Sequence, residues 1–157
     1  MIKVLLLDFS RTLLFPKDAE YKGDLNPLHK ELSQKGGYNF SNYFELNNDL
    51  LKFLKGLKDK YKIYIFTSGS IQNVSEIKEK LDEVFDGIFS SEETGFSKKV
   101  PEAYEHLAEK LNVKPQEILF IDDSEANIEV ARSVGYWILR YQTNEKIMGE
   151  INKLLKY

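Results

Sequence analysis

Apolar residues fall along the chain in two alternating rhythms. Short, largely apolar runs at 2–7, 62–66, 87–91, 117–121 and 136–141 read as strands buried on both faces. Between them, apolar positions recur at helical spacing. Leu46, Leu50, Phe53, Leu54 and Leu57 mark a helix over 46–61, and Ile71, Val74, Ile77 and Leu81 mark one over 70–85. A third helix, 101–112, opens on Pro101, whose missing N–H is harmless in a first turn. A fourth, 124–134, closes on Gly135, and a last amphipathic helix covers about 144–156. Strands that alternate with helices predict an α/β fold: a parallel sheet of about five strands, connected by right-handed crossovers and covered on both faces. Only residues 15–45 break the rhythm. Pro16, Gly23, Pro27, Gly36 and Gly37 interrupt them, leaving room for a short helix near 28–34 and the start of another near Phe40.

Parallel sheets bind ligands beyond the carboxyl ends of their strands, where the strand order reverses. The polar residues there are Asp8 after the first strand, Thr67 and Ser68 after the second, and Asp122 and Asp123 after the fourth. Lys98 and Lys99 lie in the loop after the third. Asp8 follows four apolar residues in succession, and a carboxylate so placed is costly unless it is paired, metal-bound or catalytic. Three carboxylates at one sheet edge repel each other until a lysine or a divalent cation offsets them, and donors that are all oxygen suit Mg²⁺. The Thr67 hydroxyl and the amides of Ser68 to Ser70, at an expected helix start, are placed to hold phosphate oxygens. Lys98 would neutralise both nucleophile and phosphoryl charge. An aspartate nucleophile, a hydroxyl, a lysine and an acidic pair together describe phosphoryl transfer through an aspartyl-phosphate.

Composition narrows the choice. With 157 residues, the chain is long enough for one domain with a proper core, and 42% hydrophobic with 30% charged residues is the balance of an ordered globular protein. The net charge of −3 comes with dispersed Lys and Arg, which leaves no electrostatic footprint for nucleic acid or a membrane surface. No apolar run approaches the ~20 residues that span a bilayer. The opening "MIKVLLLDF" is short, runs into Asp8 and shows no small-residue cleavage site, so it reads as a strand rather than a signal sequence, and the expected location is the cytoplasm. The absence of cysteine excludes disulfides and thiolate chemistry.

Four segments, in order, resemble the motifs of the haloacid dehalogenase-like (HAD) hydrolases. "DFSRT" (8–12) resembles DxDxT at Asp8 and Thr12; "IYIFTS" ends in Thr67; "KKVPEAY" (98–104) resembles KPxPxxY and selects Lys98 over Lys99; "ILFIDDSEAN" (118–127) resembles an apolar strand with DDxxxN. The resemblance implies a doubly wound, Rossmann-like sheet in the order 3-2-1-4-5, with residues 15–45 as a reduced cap on a single core domain. It implies Asp8 as nucleophile and metal ligand, Thr67 and Lys98 as catalytic groups, and Thr67, Ser68 and Lys98 as phosphate binders. It implies Asp123 as the principal acidic ligand of Mg²⁺, Asp122 in support, and a main-chain oxygen of residue 10 completing the metal site.

Ser10 departs from the pattern. The family's phosphatases have an aspartate there, which protonates the leaving group and then activates water. A serine hydroxyl titrates too far from neutrality for that work, which is typically worth ~10²–10⁴-fold. The expected function is therefore a Mg²⁺-dependent phosphatase, slowed or altered by Ser10, acting on a small phosphorylated molecule or a phosphorylated macromolecule. The alternatives are a metal-independent hydrolase of the dehalogenase kind and a non-catalytic protein that keeps the site for a phospho-ligand or partner. Arg11, where the family has glycine, either crowds the backbone or reaches an anionic group. In the insertion, Tyr38, Phe40, Tyr43 and Phe44 read as packing on the core first and as a homodimer contact second. Asn127 reads as support for the fourth motif's loop or a plain helix residue, His29 and His106 as surface residues, and Tyr136 and Trp137 as core or edge packing.

Overall fold

Val4 and Leu6 turn to one side of the central sheet and Leu5 and Leu7 to the other, and all four are buried. That pattern sets the architecture. The computed structural model describes residues 1–156. In chain order it contains β1 (Val4–Leu7), β2 (Leu14–Pro16), α1 (Leu25–Ser33), β3 (Phe44–Leu46), α2 (Asn48–Lys55), β4 (Lys62–Thr67) and α3 (Ser75–Val84). There follow β5 (Gly87–Ser90), α4 (Ser91–Thr94), α5 (Pro101–Lys110), β6 (Ile118–Asp122), α6 (Glu125–Val134), β7 (Trp137–Arg140) and α7 (Asn144–Leu155). The five-stranded sheet runs β5-β4-β1-β6-β7 with every pair parallel. This is the doubly wound order expected from the sequence.

On one face, Leu5, Leu7, Ile63, Ile65, Leu119 and Ile121 form a continuous apolar layer with Leu50 and Leu54 of α2, Ile77 and Leu81 of α3, and Ile147 and Ile151 of α7. On the other face, Val4, Leu6, Phe66, Ile118 and Phe120 pack with Ala103, Tyr104 and Leu107 of α5 and Ile128 and Ala131 of α6. Each fully buried aliphatic or aromatic side chain contributes roughly 1.5–3 kcal/mol, so the helices are held chiefly by these faces. Among the described residues no helix is long and apolar enough to cross a membrane.

The structure departs from the sequence pattern in several places. The expected helix 46–61 stops at Lys55, because Gly56 follows as its C-cap and a series of turns takes over. The expected helix 70–85 is divided: a single 3₁₀ turn, Ile71–Asn73, precedes α3. Within the insertion, α1 begins at Leu25 rather than Leu28, and the segment near Phe40 is one 3₁₀ turn whose N-cap, Asn39, accepts from the Ser41 amide. The ends of the insertion pair as an unanticipated antiparallel ribbon, Leu14 opposite Leu46 and Pro16 opposite Phe44.

Phe40 and Phe44 stack with ring centres 5.0 Å apart and are buried in the α2–α3–α7 layer, whereas Tyr43 stays exposed. His29 is not a surface residue. It is half-buried against Tyr38, Phe40 and Phe44, its Nδ1 lies 2.9 Å from the Tyr38 hydroxyl, and burial lowers its pKa. His106 is likewise half-buried, beside Phe96. The ring partners of both come from other segments, so neighbouring sequence gave no sign of them. Tyr136 is core, but Trp137, on the edge strand β7, is exposed, its indole N–H donating to the Gln116 carbonyl.

Candidate active site

The sheet register assembles the site. Leu7 lies opposite both Ile65 and Ile121, so the next residues, Asp8 and Asp122, leave neighbouring strands side by side. The Asp8 amide donates to the Ile121 carbonyl at 2.9 Å, which carries the pairing to the strand end. Lys98 reaches in from the loop before α5 and is buried. Its Nζ lies 2.7 Å from Asp8 Oδ1 and 2.8 Å from Asp122 Oδ2, and donates to the Phe66 carbonyl at 3.0 Å. The ammonium also sits over the Phe66 and Phe120 rings, 5.3 and 5.5 Å from their centres. Lys99, by contrast, is exposed at the mouth.

Other side chains fix this arrangement. The Tyr104 hydroxyl donates to the Lys98 carbonyl at 2.8 Å. Asp122 Oδ1 accepts from the Ser124 amide at 2.8 Å, and Asp122 Oδ2 accepts from Asn127 Nδ2 at 3.0 Å as well as facing Lys98. Asn127 is thus a support of the loop after β6. Asp122 is fully buried and its oxygens are engaged, while Asp123 is only half-buried.

Burial pushes the Asp8 carboxyl up to about 8; Lys98 pulls against this, while Asp122 and Asp123 add to it. Burial and the neighbouring Asp122 push Asp123 up to about 6. For Lys98, burial alone would lower the pKa, but the two carboxylates facing it outweigh that and hold it above the ordinary lysine value. Carboxylate oxygens of Asp8, Asp122 and Asp123 all lie within 4.8 Å of one another. Three carboxylates against one ammonium leave excess negative charge on an all-oxygen donor set, which fits a hard divalent cation. Since Asp122 already holds three donors, Asp8 and Asp123 are the carboxylates best able to ligate it.

Thr67 closes β4 opposite Ser90 and is buried; Ser68 follows, exposed. Beyond them the expected run of open amides is shorter than the sequence suggested. The Ser70 and Ile71 amides donate to Asn26 Oδ1 at 3.1 and 3.0 Å, which leaves those of Ser68 and Gly69 without a partner among the described residues. Nor does a full helix start there, since the three-residue 3₁₀ turn intervenes and the helix dipole is correspondingly remote.

Ser10 forms an isolated bridge with Leu14, and its Oγ is buried without a hydrogen-bond partner among the described residues. Arg11 has φ +60, a left-handed backbone in which glycine is unstrained and a side chain is not. Its guanidinium donates through Nη2 to the Tyr21 and Gly23 carbonyls at 3.1 and 2.7 Å, so it binds the insertion to the first motif. All the site residues expected from the sequence, from Asp8 to Asp123, line one cavity of about 640 Å³, whose rim adds Asp24, Asn26 and Glu92. Asn26 is the residue that sequence reasoning missed. Its partners are backbone amides 44 and 45 positions away, which no residue pattern announces.

The family model for haloacid dehalogenase-like hydrolases matches residues 8–135. Among curated proteins, the chain is 33% identical over 107 residues to enolase-phosphatase E1 of Methylococcus capsulatus, covering 64% of this chain and 46% of that protein. It is 25% identical over 124 residues to D-ribitol-5-phosphate phosphatase of Bacteroides thetaiotaomicron, covering 73% and 59%. The chain therefore spans about half the length of these relatives. Among solved structures, a HAD family enzyme of Bacteroides thetaiotaomicron in complex with magnesium and inorganic phosphate superposes with a TM-score of 0.69 at 19% identity, covering 92% of this chain and 96% of that one. A HAD-superfamily hydrolase of Ehrlichia chaffeensis gives 0.69 at 21% identity, covering 99% of both.

Proposed function

Because the chain belongs to the haloacid dehalogenase-like hydrolases, we propose that it is a phosphatase acting through an aspartyl-phosphate on Asp8, with a divalent cation held by Asp8, Asp123 and the Ser10 carbonyl. The observation that carries this reading is the buried Asp8–Lys98–Asp122 network, in which Lys98 holds Asp8 by Oδ1 and leaves Oδ2 for attack. Oδ2 bonds to phosphorus as the bond to the leaving oxygen breaks; water then attacks phosphorus, releasing phosphate and restoring the carboxylate. Lys98 offsets charge on the phosphoryl oxygens, and the Thr67 hydroxyl with the Ser68 and Gly69 amides would receive them. The cation, when bound, would favour ionised Asp8 and neutralise the transferred group.

Residues 15–45 serve in this reading as a reduced cap, closed at its base by the β2–β3 ribbon and tied down by Arg11. Among the described residues the cavity rim is polar, with Leu25 and Pro27 its apolar members and no aromatic side chain. That favours a small phosphate monoester whose leaving group carries hydroxyls, in keeping with the name of the ribitol-phosphate relative. Ser10 leaves the departing oxygen without a protein acid, so turnover should be slow unless the leaving group is good.

Aryl-phosphate hydrolysis with and without Mg²⁺ tests the reading. The wild type should show low, Mg²⁺-dependent turnover, Ser10→Asp should raise it by ~10²-fold or more, and Asp8→Asn should abolish it. Halide release without metal would instead favour a dehalogenase. Absence of turnover from both the wild type and Ser10→Asp, with phosphate still bound, would favour a non-catalytic role.

A further inference from the structure

The peptide between Gly69 and Ser70, two residues beyond Thr67, is gripped from both ends. Its carbonyl accepts from Gln72 Nε2 at 2.7 Å and from Ser90 Oγ at 2.9 Å, and both of those side chains are buried. Its N–H donates to Asn26 Oδ1 at 3.1 Å, and the same oxygen accepts from Ile71. Gln72 and Ser90 belong to the core; Asn26 belongs to the insertion. A peptide plane has one soft orientation once its carbonyl and its N–H are both held, because the six peptide atoms move together. With Thr67 held at the other end by its pairing with Ser90, the grip limits how the intervening Ser68 and Gly69 amides can turn, and both residues line the cavity beside Thr67.

As the Asn26 side chain stands, the approach leaves no room for a Cβ at 69. A Cβ there would lie 2.4 Å from the Asn26 side-chain carbon and oxygen. Nor is Asn26 free to drift. Its neighbour Leu25 is buried in the core layer, and Arg11 holds the Tyr21 and Gly23 carbonyls just before it. The insertion is thus anchored immediately before Asn26.

We propose that Asn26 is a positioning residue for phosphate recognition: it is the insertion's contribution to the loop, holding the Gly69–Ser70 peptide so that the Ser68 and Gly69 amides face the phosphoryl group. The proposal rests on the reading of Thr67 to Gly69 as the phosphate-binding loop. It makes the insertion part of the binding site rather than a cover laid over it.

The test uses the full chain with Mg²⁺ and inorganic phosphate as the probe. Asn26→Ala removes both acceptor contacts, and Asn26→Asp keeps an acceptor oxygen. Asn39→Ala, which uncaps the 3₁₀ turn elsewhere in the insertion, controls for general disturbance. Amide hydrogen exchange at Ser70 and Ile71 should speed up in Asn26→Ala alone, with protection kept in Asn26→Asp. Phosphate affinity should fall about tenfold in Asn26→Ala, equivalent to ~1.4 kcal/mol, with the thermal midpoint close to that of Asn39→Ala. For hydrolysis of an aryl phosphate, the loss should appear in KM more than in kcat. Phosphate binding within twofold of wild type in Asn26→Ala, or loss of affinity that tracks loss of stability in Asn39→Ala as well, overturns the proposal and leaves the phosphatase reading standing. A wild type and a Ser10→Asp variant that bind phosphate but never hydrolyse an aryl phosphate have the opposite meaning: the phosphatase reading fails while Asn26 is still tested by binding and exchange. A wild type that binds no phosphate overturns both.

Discussion

The floor of the cavity and its rim are built by different means. The floor is ionic and buried: Lys98 lies between Asp8 and Asp122, and every carboxylate oxygen of that pair except Asp8 Oδ2 faces the ammonium or an N–H donor. The rim is made of side chains that reach backbone groups, Arg11 to the Tyr21 and Gly23 carbonyls and Asn26 to two amides, in a half-exposed setting. Charges in the floor interact in a low dielectric and cannot be separated cheaply, so the floor is fixed before any ligand arrives. The rim is held by bonds that water can replace, each with a net worth of roughly 0.5–1.5 kcal/mol. In the proposed phosphatase, chemistry would thus fall on the rigid part and substrate contact on the more replaceable part.

The largest effect should come from the floor. Lys98→Met keeps an unbranched apolar side chain but leaves two buried carboxyl groups without the ammonium between them. Unfolding in urea should show a loss of about 3–5 kcal/mol, and addition of Mg²⁺ should recover part of it. If instead the variant is as stable as the wild type, the floor is not the rigid ionic unit described. Asn127→Ala, which removes one bond to the Asp122 carboxylate, should cost about 1.5–3 kcal/mol by the same measurement.

The pH dependence follows from the same unit. Asp8 and Asp123 titrate near 8 and 6 in the folded protein, above the ordinary carboxylate value near 4. The folded chain therefore holds protons that the unfolded chain has already released, and these two groups make the metal-free protein less stable as pH rises from about 4 to about 8. Denaturation midpoints without metal should fall across that window, and less steeply in Asp123→Asn. Mg²⁺ affinity should rise over the same range, because binding must displace those protons.

The smallest effects should come from the rim. Arg11→Ala loses two backbone contacts and keeps the left-handed strain, so it should lose about 1 kcal/mol or a little more. Arg11→Gly loses the same contacts but relieves the strain, so it should be the more stable of the two by roughly 1 kcal/mol. Equal stabilities would mean that the left-handed backbone at Arg11 carries no cost.

The same contrast explains what the sequence disclosed. Asp8, Asp122 and Thr67 sit at strand ends, where a polar residue closing an apolar run is visible in one dimension; Lys98, in the loop before α5, was marked by the resemblance of "KKVPEAY". Asn26, Gln72 and Ser90 act on backbone atoms, which every residue possesses, so nothing in "LNPLH" or "SIQN" marks them. The parallel α/β architecture was legible because five apolar runs alternated with helical periodicity, whereas the strand order followed from the family resemblance. The β2–β3 ribbon was not legible, since three-residue strands at 14–16 and 44–46 are too short to show a period of two. Helix ends failed where a local preference overruled an apolar pattern, as at Gly56.

Covalent trapping tests the central claim most directly. Ser10 offers no base to activate water, so phosphate transferred to Asp8 should be released slowly and should accumulate. Wild type mixed with an aryl phosphate and Mg²⁺, quenched in acid and mapped by mass spectrometry, should carry phosphate on Asp8. The label should be absent in Asp8→Asn and turn over faster in Ser10→Asp. Hydrolysis that proceeds undiminished in Asp8→Asn, or a phosphoryl group mapped to another residue, would contradict the account.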